Sequence, residues 1–362
     1  MGAPAQELLD DVARLEAADP GGMLRQVASS AAQVRSALQA ASEADLSAAI
    51  AAVRPRAIVV AGMGGSGIAG DVLAGACGQG CAAAIVSVKG YQLPGWVGAA
   101  DLVIAVSCSG STEETLAVAA DAVRRGCRLI GVGGAGSPLA GVAEQARAPF
   151  IPVVSAGMPR STLWGLSIPL IVIAERLGLA EVGPAAYEDT AAALEQVSHQ
   201  CRPSSEVFMN PGKMLATELL GTLPMIWGTS ALTGVAGYRF SCQLSENSKY
   251  PAVSGVLPEV NHNQVVTFDG PFAGAAEVPL RLVVLRDSRE HPQVAKRREA
   301  SVQLAARRGI GVTELAAEGE HPLRRLASLI QLIDYATVYL GIAAGLDPSP
   351  VAAIQELKAR IA

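Results

Sequence analysis

The chain has 362 residues, half of them apolar, 4% aromatic and 17% charged, with 38 glycines and a formal net charge of −5. That length suffices for two or three domains with substantial cores, and the composition is that of a soluble α/β protein with tight strand–helix packing. The acidic balance argues against nucleic acid or an anionic membrane surface as the partner and leaves room for a small anionic ligand in a local pocket.

Met1 to Leu9 show no basic segment followed by an apolar core, so no secretion signal is expected. The apolar runs are short or broken by Gly and Pro, and none reaches the ~18–20 residues of a membrane span. The six cysteines are scattered. Cys77 and Cys81 have the wrong spacing for a CxxC motif, so buried free thiols in a reducing cytoplasm are expected.

From Ala5 to about Ala52 the chain reads as helices, with Leu8, Leu9, Val12 and Leu15 at helical spacing and a break at Asp19-Pro20-Gly21-Gly22. A second helix is expected from Met23 to about Leu38 and a third from about Asp45 to Val53. The β-rich runs Ala57–Ala61, Ala84–Val88, Leu102–Val106, Arg128–Val132 and Phe150–Val153 then alternate with helical patterns, which implies a parallel sheet covered on both faces. After Arg160-Ser161-Thr162 a long apolar helix runs to about Leu177, followed by a polar helix and a connector. The rhythm restarts with a helix over Lys213–Leu220 and a strand over Leu223–Gly228. A helix from about Val235 and strands at Val265–Phe268, Leu280–Leu285 and Val312–Leu315 are expected next. Helices around Pro292–Arg308 and Pro322–Gly345 accompany them, and a last helix spans about Val351 to Ile361.

Two turns carry the chemistry. Ser107-Cys108-Ser109-Gly110-Ser111-Thr112 follows a strand and opens a helix with Glu113 and Glu114 in its first turn. Hydroxyls and free N–H groups at a helix start form an anion site that needs no cation, as suits a phosphate monoester. An ordinary turn with a good N-cap has the same composition. Gly62-Met63-Gly64-Gly65-Ser66-Gly67 also follows a strand and fits GxGxxG, but Ala84–Val88 ends in Lys89-Gly90, where a dinucleotide site would place an acid. Two phosphate-like turns in one sheet point instead to a sugar phosphate, with close glycine packing as the competing explanation.

Together these turns resemble the sugar isomerase (SIS) domain. Gly157-Met158-Pro159-Arg160-Ser161, Glu246-Asn247-Ser248-Lys249, Pro258-Glu259-Val260-Asn261-His262-Asn263 and Asp347-Pro348-Ser349-Pro350-Val351 through Lys358 look like the bifunctional phosphoglucose/phosphomannose isomerase family. The resemblance covers nearly the whole chain. It implies an α/β fold of two SIS-type subdomains, each a mostly parallel sheet flanked by helices in a three-layer αβα sandwich. Its layout would place N-terminal helices over 1–54, packed on the first domain. The first SIS domain with the phosphate turns would cover 55–180, a helical connector 181–212 and the second SIS domain 213–346. A C-terminal helix over 347–362 would complete the active site.

The resemblance assigns phosphate binding to Gly65, Ser66, Ser107, Ser109 and Thr112. It makes Glu246 the base between C1 and C2, sets Arg160 beside the developing enediolate, and makes His262 a ring-opening residue supplied by the neighbouring subunit. Lys358 completes the set. Cys108 stands where many relatives carry an aromatic residue, and Ser111 where Asn is frequent. The implied activity interconverts glucose 6-phosphate, fructose 6-phosphate and mannose 6-phosphate with no metal or cofactor, in a cytoplasmic homodimer with shared sites. The residue types suit that chemistry: a carboxylate base, a cation or donors for the enediolate oxygen, and an imidazole near neutral pH.

Read without the resemblance, Arg160 fits a structural salt bridge, Glu246 a loop brace, and Lys358 a solvated helix surface. Glu259 and His262 lack a third ligand for a metal. His199, His291 and His321 lie in surface-like contexts without a role. Two other functions stay open: a non-catalytic phosphosugar sensor, and an isomerase of another sugar phosphate. A sensor of this kind would carry a basic DNA-binding helix-turn-helix, which the acidic N-terminal helices do not resemble.

Overall fold

The computed structural model describes residues 2–50, 54–155, 157–274 and 276–361. They form two compact units, one of Ser29–Glu195 with Gly319–Arg324, the other of the chain up to Ala28, Gln196–Glu318 and Arg325 onward. Each unit is built on one parallel sheet.

Five helices come first: α1 (Gly2–Asp10), α2 (Val12–Ala18), α3 (Met23–Ala28), α4 (Ser30–Glu43) and α5 (Ser47–Ile50). Then β1 (Ala57–Ala61), α6 (Gly65–Cys77), β2 (Ala84–Val88), β3 (Leu102–Ser107), α7 (Glu113–Arg124), β4 (Arg128–Gly133), α8 (Pro138–Gln145) and β5 (Phe150–Pro152) alternate, followed by α9 (Leu163–Arg176) and α10 (Gly183–Gln200). The sheet order is β2-β1-β3-β4-β5. Val59, Ala61, Val103 and Ala105 share a core with Val118, Ala119 and Ala122 of α7 and Leu139 of α8. Their neighbours Ile58, Val60, Leu102 and Ile104 are also buried, and α6 packs on β1, β2 and α9. Burial on both faces is why these strands read as unbroken apolar runs.

The other sheet joins β6 (Leu223–Gly228), β7 (Val253–Val256), β8 (Leu280–Arg286) and β9 (Gly311–Ala316) in the order β7-β6-β8-β9. Its helices are α11 (Pro211–Leu219), α12 (Ala231–Gln243), α13 (Pro292–Arg307), α14 (Pro322–Ala343) and α15 (Ala352–Ile361). Met225, Trp227, Leu282 and Val284 form a core with Phe268, Ala305 and Ile310, and α12 packs on β6, β7 and β8. By length and composition alone α14 could cross a membrane, but 89% of its most apolar stretch is buried in the protein, as in a core helix.

In each sheet the chain leaves one central strand outward and returns to the other side. Such a reversal opens a crevice at the carboxyl ends of the two strands, where ligands of α/β sheets bind. The reversals lie at β1/β3 and at β6/β8.

Three expectations are corrected. Val265–Phe268 is not a strand but part of a 3-10 turn, Gln264–Asp269. Val265 and Phe268 pack on the core while Val266 is exposed, a three-residue period rather than alternation. The strand is Val253–Val256, whose Gly255 lies so close to Val260 and Gln264 that a Cβ would meet them at 2.4 and 2.8 Å. The helix expected from Val235 starts at Ala231, capped reciprocally by Ser230 and Thr233.

The N-terminal helices also divide differently from the expected 1–54 layout. The chain up to Ala28 belongs with the unit of β6–β9. There Asp10 accepts from the Val207 amide at 2.7 Å and the Leu9 carbonyl from Lys213 Nζ at 2.5 Å. Helix α4 belongs with the first sheet, where Gln33 donates to the Ser161 carbonyl at 2.8 Å. The end of the third expected helix, at Val53, lies outside the described residues.

Candidate active site

The β1/β3 crevice is lined by the two turns singled out from the sequence. After β1, Gly64 takes φ +54°, and α6 starts at Gly65 with the buried Ser66 in its first turn. Gly62 and Gly67 allow the turn to close: a Cβ on Gly67 would lie 2.7 Å from the Gly62 carbonyl, and one on Gly62 would lie 2.9 Å from the Val106 carbonyl. After β3, Thr112 is the N-cap of α7, yet its hydroxyl lies 2.9 Å from the Ser107 hydroxyl instead of capping the helix. The Ser109 hydroxyl accepts from the Ser111 amide at 3.2 Å and from the Ser111 hydroxyl at 3.0 Å. Ser66 Oγ accepts from the Cys108 amide at 3.2 Å, which links the two turns.

Gly110 keeps the second turn tight. It has φ +67°, and a Cβ there would lie 2.0 Å from Ser137 Oγ. Arg160 is buried on the 3-10 turn Pro159–Ser161. A Cβ on Gly65 would lie 3.3 Å from the Pro159 carbonyl and 3.7 Å from Arg160 Cα, so this 3-10 turn sits directly against the turn that follows β1. The structure thus brings Gly65, Ser66, Ser107, Thr112 and the Arg160 backbone into one neighbourhood of one unit, with Ser109 exposed at its rim.

The β6/β8 crevice is furnished differently. Asp287 accepts from Ser230 Oγ at 2.8 Å and from the Arg289 amide at 3.1 Å, and pairs with Arg325 at 3.1 Å. Its own amide donates to Thr229 Oγ1 at 2.9 Å. The crevice thus holds a carboxylate of the chain itself, already bonded to Ser230, Arg289 and Arg325.

Glu246 lies in this second unit, half-buried, on a π-helical turn, Leu244–Ser248, that extends α12. Such one-turn widenings of a helix recur at functional sites. Asn247 and Ser248 on the turn's inner face are fully buried. Lys249 ends the turn in the left-handed region at φ +58°, and its Nζ donates to the Glu246 carbonyl at 2.6 Å. His262 ends the 3-10 turn Glu259–His262 and is exposed. Its neighbours are anchored: Asn261 donates to Ser301 Oγ at 2.9 Å and Asn263 to Glu259 at 3.0 Å. Lys358 is exposed on α15, a helix with no buried residue. Among the described residues no group of three or more His, Cys, Asp or Glu is gathered for a metal.

Sequence reasoning missed the partners of the π-turn, Thr337 and Gly341 on α14. Only the small residue at 341 in an apolar helix hinted at a close approach.

Residues 208–361 match the family described as bacterial phospho-glucose isomerase C-terminal SIS domain. A bifunctional phosphoglucose/phosphomannose isomerase from Caldicellulosiruptor bescii is 34% identical over 307 residues, covering 84% of this chain and 89% of the relative. Its counterpart from Aquifex aeolicus is 29% identical over 304 residues, with the same coverage of 84% and 89%. Among solved structures, a hypothetical protein from Thermus thermophilus superposes with a TM-score of 0.74 at 16% identity, over 99% of this chain and 94% of that one, a likeness of fold. The chain belongs to the bifunctional phosphoglucose/phosphomannose isomerase family.

Proposed function

We propose that the chain is an aldose–ketose isomerase that interconverts glucose 6-phosphate, fructose 6-phosphate and mannose 6-phosphate without a metal, by proton transfer through a cis-enediolate. The observation that carries this reading is the pair of hydroxyl-lined turns at the β1/β3 crevice, joined by the Ser66–Cys108 bond, in a chain of this family. Gly65, Ser66, Ser107, Ser109 and Thr112 hold the phosphate through neutral donors and the start of two helices. Glu246 removes the proton from one carbon and returns it to the next. Arg160 balances the enediolate oxygen, His262 assists ring opening, and Lys358 completes the charge balance.

The working unit in this reading is a homodimer in which His262 enters the neighbour's site. Supporting it, Ile354, Leu357 and Ile361 recur along α15 at helical spacing and are all exposed, an apolar stripe that a second copy would cover. The set of Arg160, Glu246, His262 and Lys358 favours turnover over sensing alone. The deciding experiment is a coupled assay with glucose 6-phosphate and mannose 6-phosphate, with and without EDTA. Turnover of both, unaffected by EDTA, is expected. No turnover of either sugar would sink the activity, and loss with EDTA restored by zinc would sink the metal-free mechanism.

A further inference from the structure

We infer that Thr337 and Gly341 of α14 are positioning residues that set where Glu246 stands, through the buried inner face of its π-turn. The inference rests on the proposed role of Glu246 as the base.

Thr337 is bonded through both its hydroxyl and its backbone carbonyl. Its hydroxyl accepts from Asn247 Nδ2 at 3.0 Å and donates to the Asp334 carbonyl at 2.9 Å, while its own carbonyl accepts from Ser248 Oγ at 2.6 Å. One turn further along α14, Gly341 faces the same segment: a Cβ there would lie 2.5 Å from the Asn247 carbonyl. Positions 337 and 341 share a helix face by their spacing of four. The two residues following Glu246 are therefore bonded at their side chains and touched at their backbone by one face of one helix. All three contacts are buried, since Asn247, Ser248 and Thr337 are fully enclosed.

The rail itself is fixed. Asp334 lies on the same face and is gripped by Arg239 through two bonds, Nε at 2.9 Å and Nη2 at 2.6 Å, and by Gln243 at 3.2 Å. Arg239 and Gln243 belong to α12, the helix that runs into the π-turn. Thus α14 holds the base of the turn by an ion pair and its far end by Thr337 and Gly341. Glu246, half-buried, lies in the chain between these two anchors. A base must stand within hydrogen-bond reach of its proton, and a misplacement of 1 Å can cost about 10²-fold in rate.

The test compares Thr337→Val, Thr337→Ser, Gly341→Ala and Glu246→Gln, each checked for folding by thermal unfolding. Thr337→Val removes the acceptor for Asn247, and Gly341→Ala pushes the turn away. For each, kcat should fall by about 10²-fold while KM and the Kd of a hexitol 6-phosphate, which cannot isomerise, stay close to wild type. Thr337→Ser keeps the hydroxyl and should recover most of kcat. Wild-type kcat in folded Thr337→Val and Gly341→Ala, while Glu246→Gln is inactive, overturns the inference alone. A loss carried by KM and Kd overturns it too, since that marks a general structural role. Near-normal kcat in Glu246→Gln instead overturns the proposed base. Where Thr337→Val does not fold, Gly341→Ala decides.

Discussion

The Ser66 hydroxyl accepts a hydrogen bond from the Cys108 amide at 3.2 Å, so the turn that follows β1 and the turn that follows β3 are joined at the bottom of their crevice. The position of either turn is therefore tied to the other. The proposed phosphate contacts of Ser109 and Thr112 are neutral hydrogen bonds, each worth ~1 kcal/mol net. Replacing both by alanine should raise KM for hexose 6-phosphates by about tenfold or more, with little change in thermal unfolding. Unchanged KM in the folded double variant would remove the phosphate from this crevice.

Stability of the first unit should carry an acid-sensitive component at its strand base. The Asp101 carboxylate is fully buried and takes two bonds from Arg56, at 3.0 and 2.6 Å, and one from the Gly98 amide at 2.9 Å. The Arg56 guanidinium beside it holds its carboxyl below the ordinary 3.8. A depressed pKa means that the unfolded chain takes up the proton first. The contribution is therefore full above pH 3.8 and is lost as pH falls through the folded value. The gap in unfolding free energy between wild type and Asp101→Asn should be wide at neutral pH and narrow steadily below about pH 4. A gap that does not depend on pH contradicts the assignment.

What the sequence disclosed follows from physics that acts locally. The strands of the first sheet are buried on both faces, so Ala57–Ala61 and Leu102–Ser107 stand out as unbroken apolar runs. The turns after β1 and β3 stand out because tight turns at strand ends need glycine and small hydroxyls. Val253–Val256 was hidden by Ser254 and Gly255, residues that suit an edge strand under close packing better than they suit a propensity scale. The 3-10 turn at Gln264–Asp269 looked like a strand because Val265, Val266 and Phe268 favour strands wherever they lie. The amphipathic pattern of α1 to α3 announces a buried face without saying what covers it. Thr337 could not be linked to the π-turn, since Asn247 is 90 residues away. Nor do the residues around His262 carry anything that assigns it to its own subunit or the partner.

That last question has a direct answer in mixed dimers. If His262 serves the neighbour's site, a chain with Glu246→Gln and a chain with His262→Ala complement each other. Each mixed dimer then holds one intact site and one doubly damaged site, by the reciprocity of two-fold contacts. Co-folding the two inactive variants should restore partial activity that rises with the fraction of mixed dimer. Demonstrably mixed dimers without activity would return His262 to its own subunit.

Glu246 is the proposed base of the proton transfer. It stands half-buried on a π-turn whose inner residues, Asn247 and Ser248, are locked to α14. Its backbone carbonyl accepts from Lys249 Nζ at 2.6 Å, a bond that does not depend on the side chain. Glutamine preserves its size and hydrogen bonding but cannot accept the proton. A placed general base contributes about 10²–10⁴ in rate, so kcat of Glu246→Gln should fall at least that far. KM should change less, because the proposed phosphate contacts are made by other residues. Proton transfer also leaves a label signature that the rate alone does not. Substrate deuterated at C2 should lose deuterium to water during turnover, because the carboxylic acid formed on Glu246 exchanges before it returns its proton. A hydride shift between the two carbons would retain all of it. Near-normal kcat in Glu246→Gln, or complete retention of the label even in slow turnover, rules out Glu246 as the base.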